Sequence, residues 1–169
     1  MVSSLSSAKT LVVVDHISGH NSQARGLAYA LSSHVTEISA SYGRGMMLPN
    51  WVPIPHFFRF TADFRDRSAK IAHEPPNIII SAGRRAALAS LYLQKSLIQS
   101  NKSIKSIQIL DPGVKCTHFN QVLMPEHAAR PKSENLVNFP VPAHDVTENR
   151  LNQAKIGFKS LFSPLKSPV

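Results

Sequence analysis

Residues Asn77–Leu93 read N-I-I-I-S-A-G-R-R-A-A-L-A-S-L-Y-L, an apolar run that breaks at a glycine and resumes with the spacing of a helix. The consecutive isoleucines Ile78–Ile80 show no polar alternation, which predicts a strand covered on both faces, as in the middle of a parallel sheet. Gly83 allows a tight turn, and from Ala86 onward the apolar residues recur on one side of a helix. This part of the chain therefore predicts a strand that turns into a helix packed back on the sheet.

Two arginines, Arg84 and Arg85, stand at the start of that helix. The amino end of a helix after a strand points its unpaired N–H groups and positive dipole end at the crevice where α/β sheets bind ligands. Because the dipole disfavours positive charge there, an anionic ligand nearby would explain both arginines. Alternatively they are solvated, or they pair with Asp111 and Glu126. Both interpretations stay open.

A second junction of the same kind lies near the start of the chain. Thr10–Val14, T-L-V-V-V, is a strand of the buried type, and Gln23–Leu31 has the apolar spacing of a helix. The loop between them, D-H-I-S-G-H-N-S, contains a glycine, several candidate helix caps and two histidines. It lacks the G-x-G-x-x-G fingerprint, so dinucleotide binding is not predicted.

The remaining segments continue the alternation of strands and helices. Further strands are predicted at Val35–Ile38, Ile104–Leu110, Gln121–Met124 and Asn135–Phe139. Further helices are predicted at Asp63–Ala72 and after Thr147, the latter with Leu151, Ala154, Phe158 and Leu161 along one face. This alternation predicts an α/β fold, a doubly wound, mainly parallel, Rossmann-like sheet with helices on both faces. Residues 1–162 would form a single domain, and residues 163–169 a tail or linker.

Polar residues that follow the strands of such a sheet collect at its carboxyl edge, although they lie far apart in sequence. The candidates for a ligand site there are Asp15, Gly19, His20, Gly83, Arg84, Arg85, Asp111, Glu126, His127 and His144. Neighbouring residues of an extended chain point in opposite directions, so only one of Glu126 and His127 is expected to face the crevice. The two glycine-bearing junctions between strand and helix, after Val14 and after Ser81, are here called crossovers. They are expected to lie side by side at this edge, which would bring His20 close to Arg84.

The segment Ser41–Phe60 has a different character, with two glycines, three prolines and the single tryptophan. The prolines forbid a continuous helix or a central strand. Its aromatic side chains either plug the end of the core or face a membrane, and in the second case Trp51, Phe57 and Phe58 would contact lipid beside arginines that meet anionic headgroups.

Composition favours an anionic partner. The chain carries 19 Lys and Arg against 10 Asp and Glu, a formal net charge of +9. The basic residues are scattered, with no Lys/Arg block or RNA-binding signature, so a nucleic-acid partner is not predicted. The single cysteine, Cys116, fits a reducing compartment. No apolar run approaches the ~20 residues that cross a bilayer, so a cytoplasmic location is expected, with or without peripheral attachment to the inner membrane.

Three segments resemble, in the same order, the mitochondrial-fission Elm family: D-H-I-S-G-H-N-S-Q-A-R-G-L-A-Y-A-L at Asp15–Leu31, S-A-G-R-R at Ser81–Arg85, and Q-I-L-D-P with V-L-M-P-E-H between Gln108 and His127. Members of that family look like GT-B glycosyltransferases, in which two Rossmann-like halves face each other across a cleft. The resemblance implies that this chain is the amino-terminal, acceptor-side half, expected to be truncated. A partner carboxyl-terminal domain would hold most of the nucleotide-sugar site, and no resident cofactor is expected.

Two departures from the family pattern fall in this ligand edge. The first loop of the family usually reads D-G-R-x-G-H-x-x-Q, and here His16 and Ile17 replace its glycine and basic residue. The pattern is otherwise kept at Asp15, Gly19, His20 and Gln23. The resemblance thereby adds Gln23 to the candidate ligand-binding residues. An acidic residue often follows P-E-H in the family, and here it is Ala128.

On the glycosyltransferase interpretation, His20 is the candidate general base, because an imidazole can accept a proton from an acceptor hydroxyl near neutral pH, with Asp15 to orient it. Alternatively His20 is a loop residue that caps the following helix. Asp111, followed by Pro112, is also a common turn residue. His16 and His20 are spaced like metal ligands on a helix, but no clear third ligand accompanies them, so no metal site is predicted.

The expected partners are a nucleotide sugar, a phosphorylated or lipid-linked acceptor, and an acidic membrane surface. Two functions of other classes stay open beside glycosyl transfer. One is a non-catalytic, membrane-associated adaptor, and the other is an inactive remnant that folds but has lost its activity.

Overall fold

The computed structural model of the chain describes residues 7–48, 54–98, 100, 103–128, 133–140 and 144–158, without the side chains of His56 and Phe57. Its strands are β1 (Lys9–Val14), β2 (His34–Ser39), β3 (Ile78–Ala82), β4 (Lys105–Ile109), β5 (Gln121–Pro125) and β6 (Leu136–Phe139). Its helices are α1 (Ser18–Leu31), α2 (His56–Arg59), α3 (Ala62–Ile71), α4 (Gly83–Leu97) and α5 (Glu148–Gly157). The strands form one sheet in the order β2-β1-β3-β4-β5-β6, and every neighbouring pair is parallel. The predicted α/β sheet is confirmed.

Buried apolar side chains cover both faces of the sheet. Val12 of β1 belongs to a cluster with Ala24 and Ala28 of α1. Its neighbour Val13 points the other way, into a cluster that contains Leu93 of α4. The prediction of helices on both faces is therefore confirmed.

The order of the strands reverses between β1 and β3. The chain runs from β1 outward to β2, then returns to place β3 on the opposite side of β1. The helices that follow β1 and β3 therefore leave from adjacent strands and cover opposite faces. Open α/β sheets bind ligands at such a reversal, outside the carboxyl ends of the strands.

Helix α1 begins at Ser18, earlier than the predicted start at Gln23. The Asp15 carboxylate accepts a hydrogen bond from the Ile17 amide at 2.7 Å. The Asn21 side chain accepts from the Asp15 amide at 2.9 Å and donates to the Asp15 carbonyl at 2.7 Å. These bonds close the loop within three residues, so the helix begins sooner than its apolar spacing indicates.

Helix α4 begins at Gly83, directly after β3, where the sequence predicts a turn before Ala86. The turn and the first helical residue are the same glycine. The early start of α1, in turn, places Gly19 and His20 in the first turn of a helix rather than in a loop.

An ion pair ties α1 to the edge strand β2. Nε and Nη2 of Arg25 each donate to a carboxylate oxygen of Glu37 at 2.8 Å. The hydrogen bond from Arg25 lowers the pKa of Glu37 although partial burial opposes it, and the same bond raises the pKa of Arg25. The pair therefore stays ionised on both sides of neutrality and fixes the position of α1 along the sheet.

The segment Ser41–Phe60 is closed at its base, where Tyr42 and Phe60 form an isolated antiparallel bridge. The Phe60 side chain is 1% exposed, and its ring centroid lies 5.1 Å from those of both Phe64 and Tyr92. This end of the segment plugs the core, which is the first of the two interpretations left open by the sequence.

The rest of that segment faces outward where it is described. Phe58 is 54% exposed and Met47 93% exposed. Trp51 lies outside the described residues, and the Phe57 side chain is not described. Contact of these aromatic residues with a membrane stays a prediction.

Helix α5 does not bury the face predicted for it. Thr147 caps the helix as predicted, since its hydroxyl accepts a hydrogen bond from the Arg150 amide at 3.3 Å. However, Leu151 and Phe158 are 58% and 51% exposed, and no described residue of α5 is buried. The predicted packing of this face was wrong for the described residues. Leu161 and the predicted boundary at 162 lie outside them.

Polar contacts attach the start of α5 to α1. Ser22 of α1 donates a hydrogen bond to the Asp145 carboxylate, which also pairs with Arg150. Burial alone would raise the pKa of Asp145, but the hydrogen bonds from Ser22 and Arg150 outweigh it and hold that pKa below its usual value. An ionised carboxylate, rather than an apolar face, therefore holds this part of the chain on the domain.

Candidate functional site

A cleft of about 450 Å³ opens at the carboxyl edge of the sheet, beyond the ends of β1, β3 and β4. The described residues that line it are Asp15, His16, Ile17, His20, Gly83, Arg84, Arg85, Leu110 and Asp111. The sequence predicts six of these as site residues: Asp15, His20, Gly83, Arg84, Arg85 and Asp111. His20 and Arg84 share this cleft, as the prediction of two adjoining crossovers requires.

The two crossovers touch where His20 lies against Gly83. Gly83 has a φ of 79°, in the left-handed region that glycine enters without strain. A Cβ at this position would lie 2.4 Å from Nδ1 and 2.5 Å from Cε1 of the His20 ring. The imidazole therefore occupies the space that any other residue at 83 would need, and it joins the first turn of α1 to the first residue of α4.

The two arginines of the cleft have different neighbours. Nη2 of Arg84 lies 3.1 Å from Oδ2 of Asp111, and the Arg84 side chain is 70% exposed. Arg84 therefore forms the pair with Asp111 that the sequence left open. Such an exposed ion pair contributes little to stability, so it holds the guanidinium only weakly. Nη1 of Arg85 lies 2.9 Å from Nε2 of His16. Because an arginine only donates, Nε2 of His16 is the acceptor in this contact.

No hydrogen bond joins Asp15 to His20 among the described residues, and the orienting role of Asp15 stays a prediction. One carboxylate oxygen of Asp15 accepts from the Ile17 amide, and the other is buried without a hydrogen-bond partner among the described residues. Nδ1 of His20 likewise has no hydrogen-bond partner in the described part of the chain. The carboxylate is used to shape the loop before α1, and the imidazole lies against Gly83.

Tyr42 lies close enough to the cleft to feel its charges. Burial raises the pKa of Tyr42, the Asp15 carboxylate raises it further, and Arg85 partly offsets both effects. Its ring packs against Phe60 at a centroid distance of 6.1 Å, and its hydroxyl is buried with no hydrogen-bond partner in the described ranges. The phenol is therefore a neutral group on the Asp15 side of the cleft.

A buried glutamine holds the floor of the cleft in place. Gln108 of β4 is fully buried, and its amide nitrogen donates to the carbonyls of Gly83 at 3.2 Å and Ile109 at 2.7 Å. Its carbonyl accepts from the Ser81 hydroxyl at 2.6 Å. One side chain therefore links the end of β3, the start of α4 and the end of β4. The next residue after β4 is Leu110, whose φ of 65° is unusual for a non-glycine residue.

Five of the predicted site residues do not line the cleft. Gly19 is exposed on α1, and Gln23 of the same helix is half-buried, with its carbonyl oxygen lacking a hydrogen-bond partner among described residues. Glu126 and His127 are exposed and follow β5. Strand β4 lies between β5 and β3, so β5 is two strand spacings, about 10 Å, from β3. The backbone of His144 lies against Gly26, about two turns along α1 from the cleft. A ligand role for these five stays a prediction.

A second recess lies at the opposite edge of the sheet. Its volume is about 390 Å³, and its wall includes Lys9, which pairs with Glu74 at 3.2 Å. Both of those side chains are more than half exposed. The recess adjoins the amino ends of β1 and β2, away from the strand reversal, so the cleft at the carboxyl edge is the better candidate site.

Comparison with known proteins identifies the family. The family model described as mitochondrial fission ELM1 matches residues 18–169. The chain belongs to the mitochondrial fission ELM1 family. An uncharacterised protein of Rickettsia prowazekii is similar to this ELM1-family chain, with 32% identity over 123 residues. That match covers 70% of this chain and 32% of the relative, so the chain spans about a third of the length of the curated relative that it matches. No solved structure matches the chain.

Sequence reasoning missed three residues at the site of this ELM1-family chain. His16 was treated as a departure from the family pattern, yet it lines the cleft and contacts Arg85. Gln108 carried a usable signal, since a glutamine flanked by isoleucines in a strand of the buried type must find partners inside the protein. Tyr42 carried none, because the glycine- and proline-rich segment around it predicts no regular geometry.

Two possible features are absent from the described part of this ELM1-family chain. No helix there has both the length and the apolar character needed to cross a bilayer. No group of three or more histidine, cysteine, aspartate and glutamate side chains within those ranges is arranged to hold a metal ion.

Proposed function

We propose that this chain is the acceptor-side, Rossmann-like half of a GT-B glycosyltransferase-like protein, and that its cleft binds the phosphate-bearing part of a nucleotide sugar or of a phosphorylated or lipid-linked acceptor. Family membership and the parallel sheet support the architecture. On this proposal glycosyl transfer requires a second Rossmann-like half, and the isolated half contributes recognition of the bound group.

The observation that carries the proposal is the convergence of two uncapped helix starts on one cleft. The residues before α1 and α4 are Ile17 and Ala82, neither of which provides a side-chain cap, and neither helix has an acidic residue in its first turn. By contrast, Thr61 and Thr147 cap α3 and α5 with their side chains. Uncapped N–H groups and the positive ends of two helix dipoles suit an anion.

The side chains of the cleft add to the same preference. Arg84 and Arg85 both line it, where helix dipoles alone would disfavour positive charge. Guanidinium groups bind phosphate oxygens in pairs of hydrogen bonds. The cleft thus offers donors that suit the phosphate group of a nucleotide sugar or of a phosphorylated acceptor.

Binding of pyrophosphate and of uridine diphosphate by isothermal titration calorimetry tests the anion site. Arg84→Ala and Arg85→Ala are each expected to weaken binding about tenfold or more, because a hydrogen bond to a charged group contributes roughly 1.5–3 kcal/mol. Lys95→Ala is the matched control, since it removes the same charge from the last turn of the same helix.

Equal losses in all three variants would show that only net charge matters, and would contradict a site at the start of α4. The glycosyl-transfer part of the proposal needs the second half as well. It fails if the completed protein neither binds nor hydrolyses any nucleotide sugar.

An exposed apolar patch supports membrane association as a second candidate function. Met47 and Leu48 are 93% and 49% exposed, and Phe58 is 54% exposed. A Cβ on Gly45 would lie 2.9 Å from the Phe58 carbonyl oxygen, so the 44–48 turn and Phe58 lie side by side. The exposed Arg44 adds a positive charge to the patch. Apolar side chains flanked by a cation are suited to an acidic lipid surface.

Flotation with vesicles of neutral and acidic phospholipid tests this candidate. Met47→Glu is expected to abolish a preference for acidic vesicles, because it places a negative charge at the most exposed apolar position of the patch. Ile156→Glu, at a 76% exposed position on α5, is the control and should float as the parent chain does. A parent chain without any preference for acidic lipid would remove the candidate, and failure of both binding tests would leave the inactive remnant.

A further inference from the structure

The exposed apolar patch and the anion cleft lie at the same edge of the sheet. Three side chains of the patch are each at least 49% exposed: Met47, Leu48 and Phe58. The segment that leads to the patch follows the carboxyl end of β2, where the Ala40 amide donates to the Val14 carbonyl at 2.8 Å. The residue after Val14 is Asp15, which lines the cleft. The segment therefore starts at the wall of the cleft.

Few residues separate this wall from the patch. Gly43 is three residues beyond Ala40, so their Cα atoms are at most about 11 Å apart. The Gly43 amide donates to the Arg59 carbonyl at 2.8 Å, and a Cβ on Gly43 would lie 2.5 Å from the Phe58 carbonyl oxygen. Added together, these steps place the Phe58 backbone within about 20 Å of the Val14 carbonyl.

Two contacts place Arg85 on the side of the cleft that adjoins the patch. Burial raises the pKa of Tyr42, and the positive charge of Arg85 partly offsets that rise, so the two side chains lie within electrostatic range. Phe60 packs on Tyr92 of α4, with ring centroids 5.1 Å apart, and Arg85 stands in the first turn of that helix. A surface that meets the patch is therefore close to the exposed guanidinium group of Arg85.

The patch and the cleft together suit a ligand with an apolar end and an anionic end. Apolar side chains on a membrane surface enter the boundary between headgroups and acyl chains, about 5–10 Å deep. Exposed Arg44 and the formal net charge of +9 complement an acidic membrane. Ile17, which lines the cleft, is 38% exposed and adds an apolar contact beside the arginines.

We propose that the cleft binds the terminal phosphate of a lipid while the patch lies on the membrane that contains this lipid. The inference deepens the proposed function and rests on its anion site, and it selects the lipid-linked ligand among those open there. A phosphate monoester carries nearly two negative charges at neutral pH, whereas the phosphodiester of common phospholipids carries one. Two arginines and two helix starts at one cleft favour the more highly charged group.

Flotation of the full chain with two kinds of acidic vesicle tests the headgroup. Phosphatidylcholine vesicles contain either phosphatidic acid or phosphatidylglycerol and are matched in surface charge, and only phosphatidic acid ends in a phosphate monoester. The chain is expected to bind the phosphatidic acid vesicles at least about tenfold more tightly, because hydrogen bonds to a charged group discriminate by this much. Equal binding to both vesicles, or binding to neither, would overturn the proposal.

Variants at two exposed positions separate the cleft from the patch. Arg85→Ala should remove the preference for phosphatidic acid, whereas Lys95→Ala, which removes the same charge from the last turn of α4, should keep it. Met47→Ser should weaken binding to both vesicles about tenfold, because an apolar side chain no longer enters the bilayer. Ile156→Ser, on α5, is its control. A preference that survives Arg85→Ala, or unchanged vesicle binding by Met47→Ser, would overturn the proposal.

Calorimetry with pyrophosphate distinguishes failure of this inference from failure of the proposed function. Met47→Ser should bind pyrophosphate in solution as the parent chain does, because the change lies outside the lining of the cleft. If the parent chain binds pyrophosphate but does not distinguish the two vesicles, the anion site stands and its lipid ligand is refuted. If it binds neither pyrophosphate nor phosphatidic acid vesicles, the anion site fails and the inference fails with it.

Discussion

Replacement of Gly83 by alanine is expected to destabilise the folded chain by at least about 1–2 kcal/mol, through the backbone alone. The φ of 79° at this position lies where side chains other than hydrogen clash with the backbone. A second cost is added because the new Cβ would lie 2.4 Å from Nδ1 of His20 and force the imidazole out of its position. Urea denaturation measures the change in the free energy of unfolding.

The chain contains a control for the same substitution. Gly19, in the first turn of α1, has no heavy atom within 4 Å of a built Cβ, so Gly19→Ala should leave stability unchanged or raise it slightly. Adding His20→Ala to Gly83→Ala should recover the steric cost and leave the backbone cost, because the ring that blocks the Cβ is then gone. A Gly83→Ala chain as stable as the Gly19→Ala chain would show that the two crossovers do not make this contact.

Local sequence patterns determined most of the sheet. β3 and β1 were predictable because runs of β-branched residues without polar alternation fit little else than a strand buried on both faces. The starts of α1 and α4 were not predictable to the residue, because neither has a side-chain cap. The absence of side-chain caps made these two boundaries hard to predict, and the same absence leaves N–H groups that suit an anion in the cleft. The error in prediction therefore falls at the candidate site.

The candidate site was predictable as a location and less so in its contacts. The rule that polar residues after parallel strands share one edge brought six of the predicted residues into the cleft. It could not show that Glu126 and His127 lie outside the lining of this cleft, because local sequence does not reveal the strand order that separates β5 from β3. It also could not show that His20 lies against Gly83, since that contact depends on the packing of two helices from opposite faces of the sheet.

Replacement of Gln108 by leucine, which is similar in size, is expected to cost roughly 2 kcal/mol or more of stability, because a buried group left without a partner costs about 1–3 kcal/mol. The Ser81 hydroxyl and the Ile109 carbonyl lose their bond to Gln108, and the Gly83 carbonyl loses the second of its bonds while it keeps its partner within α4. The Gly83 carbonyl belongs to the turn that supports the cleft, so pyrophosphate binding should weaken along with stability. Thermal or urea denaturation and calorimetry measure the two effects.

Gln121→Leu, one strand away, makes a matched comparison for Gln108→Leu. Gln121 is half-buried and its amide donates to the Asn135 carbonyl at 2.9 Å, far from the cleft, so its loss should cost about 1 kcal/mol and leave anion binding intact. In the Gln108→Leu background, adding Ser81→Ala should cost less than it does alone, since the hydroxyl it removes no longer has its partner. Equal stability losses at Gln108 and Gln121, with binding unchanged in both, would show that the buried amide does not hold Gly83 in place. The cleft would then depend on the glycine and the imidazole alone.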